Sequence, residues 1–192
     1  MTIEVDDGLT FDIHATTVEA IRQDDIYPGV RVNTGGTLSS AKIRFHIDIN
    51  IGDELWPKPD QLELPRLLGN SPIRVLDYSA ELILAEKIVT AIQRGTANTR
   101  WRDFVDIASL ADTAIDNDIL TEAIQRVADQ RLTRIRALSV VLEGFGTVAQ
   151  PQWSAWRRKQ QLAGTPESFA ELLNAVIEFS DQHLNTNDNE TS

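Results

Sequence analysis

The segment AKIRFHIDINI, residues 41–51, alternates apolar and polar side chains without a break. Successive side chains of a pleated strand leave on opposite faces. Ile43, Phe45, Ile47, Ile49 and Ile51 therefore share one face, and Lys42, Arg44, His46, Asp48 and Asn50 share the other. A helix, at about 100° per residue, would scatter the same five apolar side chains around its cylinder. The apolar face is expected to be core, and the polar face either meets solvent or lines a cleft. His46 and Asp48 could form part of a metal site, but two ligand types two apart on a strand also arise by chance.

The same period of two recurs upstream. TIEV, LTFDIH and GVRVN read as strands separated by DDG, YPG and NTGG turn chemistry. TVEAIRQ between them is long enough for about two helical turns. NTGGTLSS runs directly into the strand at 41–51, so its glycines fit a hairpin turn. WPKPDQLELP carries three prolines, which remove donors and force extended backbone, and is expected to be a surface connection. IRVLDY is a further short strand. From Ser79 the period changes to 3.6, predicting helices at about 79–94, 99–112, 117–132, 134–143, 151–162 and 166–184.

These patterns define an α+β protein with a mostly antiparallel sheet followed by a helical bundle. The expected division is a β-rich part over 1–70, a helical domain over 71–184 and a disordered tail over 185–192, since NTNDNETS holds no apolar residue. With 42% hydrophobic and 24% charged residues, the composition is that of a globular chain able to bury a core. The absence of cysteine excludes disulfides and a thiolate zinc site. No basic segment followed by an apolar one opens the chain, and no apolar run reaches membrane-spanning length, so a cytoplasmic location is expected. A net charge of −11 argues against coating nucleic acid through a bulk field, while leaving room for a local basic cleft.

The first helical pair concentrates charge. In AEKIVTAIQRGTANTRWRDFVDI, residues 85–107, Leu84, Ala85, Ile88 and Ile92 make one face of a helix while Lys87 and Arg94, seven apart, project elsewhere. In the next helix Trp101, Phe104, Val105 and Ala108 make the apolar face, and Asp103 and Asp106, three apart, point together away from it. Taken alone, this pattern fits a helical hairpin with solvated polar faces as readily as a site.

Order and spacing add to it. Asp48, Gly52 and Asp53 in DINIGD, then Glu86 and Lys87 in AEK, then Arg94, then Arg100, Arg102, Asp103 and Asp106 in RWRDFVDI follow one another along the chain. This series resembles the C-terminal portion of the AbiEii/AbiGii toxin family of nucleotidyltransferases, whose pattern is approximately I-D-I-x-x-G-D, A-E-K-L-x-A, an arginine, and R-x-K-D-x-x-D-L. Arg102 stands where that pattern has lysine, keeping charge but not geometry. The similarity covers about residues 5 to 112. The family's upstream glycine-rich turn and D-x-D strand have no counterpart here; the one D-x-D, Asp116 and Asp118, is explained by helix capping.

The resemblance implies a fold related to polymerase-β-type nucleotidyltransferases, and transfer of a nucleotide from an NTP to an RNA acceptor with Mg²⁺ assistance. It implies Asp48, Lys87 and Asp103 as catalytic groups: Asp48 near the attacking hydroxyl and as a metal ligand, Lys87 on the triphosphate, Asp103 orienting Lys87 or moving a proton. Arg94, Arg100 and Arg102 would contact phosphates, and Glu86 and Asp106 would support them. It also implies a cognate antitoxin as partner, with a tRNA-like RNA as acceptor. Lacking the D-x-D pair, the chain is alternatively the distal half of such an enzyme, or a truncated non-catalytic module that binds an antitoxin or an N-terminal partner polypeptide. Arg126, Arg131, Arg134 and Arg136, with Arg157, Arg158 and Lys159, read as a solvated basic face or as contacts to an RNA backbone. Trp153 and Trp156 share a helix face and are expected in the core or against a partner.

Overall fold

The structure, a computed structural model, describes residues 8–21, 29–50, 55–66 and 71–184. It is α+β, with antiparallel strands first and helices after. The expected TIEV strand, the YPG turn, Ile51, Gly52, Asp53 and the tail at 185–192 lie outside the described residues. The chain divides after Asp53 into two compact units, the second of which takes in the shorter sheet and the helices.

The first unit is one antiparallel sheet: β1 (Leu9–Phe11), β2 (Thr17–Ile21), β3 (Gly29–Leu38) and β4 (Ala41–Asn50). β4 pairs with the whole length of β3, so β1 and β2 share the opposite edge of β3. TVEAI, expected as helix, is the strand β2. Thr17, Val18 and Ile21 are β-branched and stiff, and Val18 and Ala20 sit opposite Val32 and Val30, where the ladder outweighs any helical preference. The tandem glycines are not the hairpin turn either; the turn is Ser39–Ser40, with Ser39 at φ 54°, and Gly35 and Gly36 lie inside β3. A Cβ on Gly36 would stand 2.6 Å from the Thr10 carbonyl oxygen, so the glycine lets β1 close on β3.

The alternation in β4 holds in full, but its apolar face is not core. Ile47 is 51% exposed and Ile43 38%, with Phe45 and Ile49 between them. Val18 and Phe11 on the neighbouring strands are also exposed, and Phe11 meets Phe45 edge-on. Among its described residues this unit is a single layer, and a single sheet layer has nothing of its own to bury that face against.

The second unit begins with the hairpin of β5 (Asp60–Leu64) and β6 (Ile73–Asp77), closed by a cross-strand Arg74–Glu63 pair at 3.0 Å. The proline-rich stretch expected as a bare connection thus contains β5. Pro57, Pro59 and Pro65 flank the strand rather than interrupt it, where a missing N–H costs no ladder bond.

Seven helices follow among the described residues: α1 (Ala80–Arg94), α2 (Trp101–Ala111), α3 (Asn117–Gln130), α4 (Leu138–Val141), α5 (Phe145–Val148), α6 (Gln150–Lys159) and α7 (Phe169–Asp181). Ser79, Asp116 and Ser168 cap α1, α3 and α7 with side-chain acceptors for otherwise unpaired N–H groups. The helix expected over 134–143 shrinks to α4, because the Asp181 carboxylate accepts from Leu138 N and Ser139 N and starts the helix there. α1 packs on α3 and α2, and α7 packs on α2, α4, α5 and α6. Phe169 is the hub: its ring lies 5.3 Å from Trp101, 5.3 Å from Phe145 and 5.5 Å from Phe104. Trp153 is fully buried, stacks on Trp156, and donates Nε1–H to the Pro166 carbonyl, so the tryptophan pair belongs to the core as expected.

Candidate functional site: a shared ammonium between two helices

α1 and α2 are placed by their apolar faces. Leu84, Ala85, Ile88 and Ile92 of α1 and Phe104 and Ile107 of α2 are buried in one core. Gly95 ends α1 at φ 53°, and the Asn98 side chain accepts from Arg100 N at 2.9 Å where α2 begins. With both apolar faces turned inward, the remaining geometry is fixed by spacing. Lys87 sits one position before Ile88, at the edge of the core, and Asp103 and Asp106 sit one turn apart on α2.

The two helices meet at the Lys87 ammonium. Its Nζ donates to Asp103 Oδ1 at 2.7 Å and to Asp106 Oδ2 at 2.8 Å. These are short, charge-assisted bonds in a part-buried setting, where they are stronger than in water. Burial disfavours the ammonium, but the hydrogen bonds to Asp103 and Asp106, and the attraction of both carboxylates, outweigh that effect and raise its pKa above the ordinary lysine value. Lys87 is thus a fixed cation at neutral pH, not a base. An ammonium has three donors, so one remains after the two carboxylates are served.

Arg100 Nη1 lies 3.7 Å from the second oxygen of Asp103, too long for a good hydrogen bond but close enough for attraction. Arg94, at the end of α1, and Arg102, on α2, are exposed and make no ion pair among the described residues. Glu86, about 100° around the helix from Lys87, lies 3.9 Å from Arg131. Arg131 was read from the sequence as part of a basic face, yet its side chain is only 17% exposed. It donates to the Glu86 carbonyl and to Thr90 Oγ1, fastening α1 beside Lys87. Sequence reasoning missed this role, because nothing local at Arg131 marks a partner 45 residues away.

Asp48 belongs to the first unit. Both its oxygens are engaged by Arg31, Oδ1 from Nε at 2.7 Å and Oδ2 from Nη2 at 2.8 Å, a bidentate pair across the register of β3 and β4. The structure therefore brings together Lys87, Asp103 and Asp106, with Arg100 beside them, and holds Asp48 in a separate pairing with Arg31.

The donor set bears on the expected Mg²⁺. Asp103 and Asp106 each spend an oxygen on Lys87, and Asp48 spends both on Arg31. Among the described residues no three acidic or histidine side chains cluster as metal ligands. The described side chains do not form a resident Mg²⁺ cage of carboxylates. His46 and Asp48, weighed as a metal pair, gain no third ligand there.

An α+β chain with antiparallel strands, a helical half and a lysine clamped by two aspartates is compatible with a nucleotidyltransferase scaffold. The chain belongs to the nucleotidyl transferase AbiEii toxin family of the Type IV TA system, whose family model matches residues 2–175. No curated protein and no solved structure matches the chain. No helix among the described residues is long and apolar enough to cross a membrane.

Proposed function

We propose that this protein transfers a nucleotidyl group from an NTP to a hydroxyl of an RNA acceptor, as the toxin of a toxin–antitoxin pair or as one part of that toxin. The observation that carries this reading is the Lys87 ammonium held by Asp103 and Asp106 from two helices, at positions that match the family pattern.

In the reaction, the acceptor oxygen attacks the α-phosphorus, a new O–P bond forms, the bond from that phosphorus to the bridging oxygen breaks, and pyrophosphate departs. Charge grows on the phosphate oxygens as the bond to pyrophosphate weakens, and a preorganised cation is what such a transition state needs. Lys87 supplies it through its third N–H, while Asp103 and Asp106 fix the ammonium so that little reorganisation is left to do. Arg94, Arg100 and Arg102 contact the outer phosphates as exposed cations. The family resemblance gives Asp48 the acceptor-side carboxylate role, and in the first unit it is paired with Arg31. No step is assigned to Mg²⁺, which the described donors do not cage.

The test is incubation of the purified protein with labelled NTPs, Mg²⁺ and an RNA pool. Lys87→Ala is expected to lower label transfer by about 10²–10³-fold. Absence of transfer from the unaltered protein, also when an antitoxin-free N-terminal polypeptide is supplied, overturns the reading.

A second reading is favoured by the exposed apolar face of Ile43, Phe45, Ile47 and Ile49. In it the chain is a binding module for the cognate antitoxin or for an N-terminal polypeptide, and that face is the contact. Ile47→Asp would then abolish co-purification with the partner while leaving the helical unit folded.

A further inference from the structure

β4 is the long edge of its sheet. It pairs with β3 from Ala41 to Asn50, and among the described residues no strand lies on its other side. In an antiparallel strand alternate residues turn their N–H and C=O away from a given neighbour. Half of the β4 backbone groups are therefore directed at the open edge, where they can pair with another strand. Proline and bulges blunt such edges in many sheets, but residues 41–50 contain no proline and their register with β3 is unbroken.

The polar face brings a charge pattern to that edge. Glu19, Arg31 and Asp48 stand opposite one another across β2, β3 and β4, so the row reads negative, positive, negative as it approaches the open side. Arg31 holds both Asp48 oxygens, at 2.7 and 2.8 Å, and the Asp48 side chain is still 31% exposed. A cation on the far side of Asp48 would continue the alternation. β4 itself carries one on the same face: Arg44 makes no hydrogen bond or ion pair among the described residues.

We propose that the open edge of β4 pairs antiparallel with β4 of a second copy of this chain, with the two-fold axis at His46. Charge complementarity selects both the occupant and the register. A slip of one residue would set the polar face of one strand beside the apolar face of the other, so opposed residues share a face and the axis falls at a residue. Axes at Arg44 and at Asp48 oppose like charges. An axis at Phe45 sets Lys42 against Asp48 but Arg44 against His46, donor to donor. An axis at Ile47 sets His46 against Asp48 and leaves Arg44 with no carboxylate opposite. The axis at His46 sets Arg44 opposite Asp48 of the second copy, twice by symmetry, and the row becomes Glu19, Arg31, Asp48 and the copy's Arg44 in alternating sign. On the apolar face the same register opposes Phe45 to Ile47 and Ile43 to Ile49, aromatic or β-branched on β-branched. One strand pair buries less than the ~1,600 Å² of a standard interface, so the dimer is reversible. It joins two four-stranded sheets into one and holds whether or not the chain transfers nucleotides.

Sedimentation velocity of the full chain over a range of concentrations is expected to show a reversible dimer. Arg44→Glu sets like charges opposite each other at both Asp48 positions and should weaken self-association by about tenfold or more. Arg158→Gln, on α6, should leave it unchanged. The chain has no cysteine, so a single introduced thiol reports the register. Opposed Cβ atoms in such a pair lie about 4.5–5.5 Å apart, close enough for a disulfide. Under mild oxidation His46→Cys should give an inter-chain disulfide, whereas Lys42→Cys, roughly 25 Å from its symmetry mate, should not. Circular dichroism checks that each variant remains folded. The proposal is overturned if the unaltered protein stays monomeric at the highest concentration, if Arg44→Glu dimerises as well as the unaltered protein, or if Lys42→Cys or Phe45→Cys cross-links as readily as His46→Cys. A dimer dispersed by Ile47→Asp but not by Arg44→Glu would assign the contact to the apolar face instead. Arg44-dependent capture of an N-terminal polypeptide by a chain that does not self-associate would give the edge to that polypeptide. Either result also overturns the self-pairing.

Discussion

The two units use their apolar residues in opposite ways. In the helical unit Phe104, Phe169 and Trp153 are fully buried and Ile88 and Ile107 pack with them. In the sheet unit the best-patterned strand of the chain leaves Ile43, Phe45, Ile47 and Ile49 between 38% and 51% exposed. Both units follow the rule that an element sorts its side chains by face. The helices also follow the second rule, that a sorted face must find another layer. Strong patterning is therefore a statement about which side faces a partner layer, not a guarantee that the same unit supplies it.

The largest expected effect tests this contrast directly. Phe104→Ala should destabilise the helical unit by about 3–5 kcal/mol through lost burial and an unfilled cavity, read as a shift in denaturant midpoint. Phe45→Ala should cost under about 1 kcal/mol, since the side chain is already well exposed. Equal costs would mean that the β4 face is covered in solution, and the comparison would fail. Native-state hydrogen exchange gives the same test without mutation: amides of α1 and α3 should exchange through global unfolding, and those of β2 and β4 at lower free energy.

The Lys87 cluster is expected to sit next in size. Asp103→Asn removes one of two carboxylates from a part-buried ammonium and should cost about 1–2 kcal/mol, below the roughly 3–5 kcal/mol of a fully buried broken pair because the site is partly wet. The pH dependence has a definite sign. The folded pKa of Lys87 is raised, so its contribution is complete below the unfolded lysine value near ~10.4 and disappears as pH rises through the higher folded value. The stability gap between the unaltered protein and Lys87→Met should stay flat from about pH 7 to about pH 10 and narrow above that. A gap that narrows already near neutral pH would show that the ammonium is not held as described.

His183 points the other way. Burial near the end of α7 lowers its pKa, and its ring packs against Phe179 at 5.1 Å. The unfolded chain then takes up a proton more readily, so stability is intact above about pH 6.5 and falls as pH drops through the folded value. His183→Phe should remove that acid sensitivity, as measured by thermal melts across the same interval.

How much of this could be read from residues alone follows the range of each interaction. The strand at 41–50 and the helix boundaries near Ser79, Asp116 and Ser168 were legible, because period and capping are local signals. The convergence of Asp103 and Asp106 was legible for the same reason, being a spacing of one turn. That both would meet Lys87 follows from packing two apolar faces, and the family pattern supplied the hint. β2 was misread as helix because VEAI satisfies either period over so few residues, and only β3 decides between them. Gly35 and Gly36 were misread as a turn because glycine marks both turns and close strand approach, and the deciding contact, with the Thr10 carbonyl, comes from another strand. Arg131 and Arg31 were out of reach, since each is defined by a partner far along the chain.

The smallest expected effect compares one device in both units. Asp116 caps α3, accepting from Asp118 N and Ile119 N at 3.0 and 3.1 Å, and Asp12 accepts from Ala15 N at 3.1 Å at the start of the 3-10 turn. A cap is worth what the structure behind it would lose. α3 is fourteen residues long and buries Leu120, Ile124 and Val127, so fraying its first turn loosens core contacts. Asp116→Ala should cost about 1 kcal/mol. The turn after Asp12 has three residues, none of them buried. Asp12→Ala should cost no more than about 0.5 kcal/mol, and should instead speed amide exchange at Ala15 without moving the global midpoint. If Asp12→Ala lowers the midpoint as far as Asp116→Ala does, the turn that joins β1 to β2 is a cooperative part of the fold, and a cap is worth more than the burial behind it.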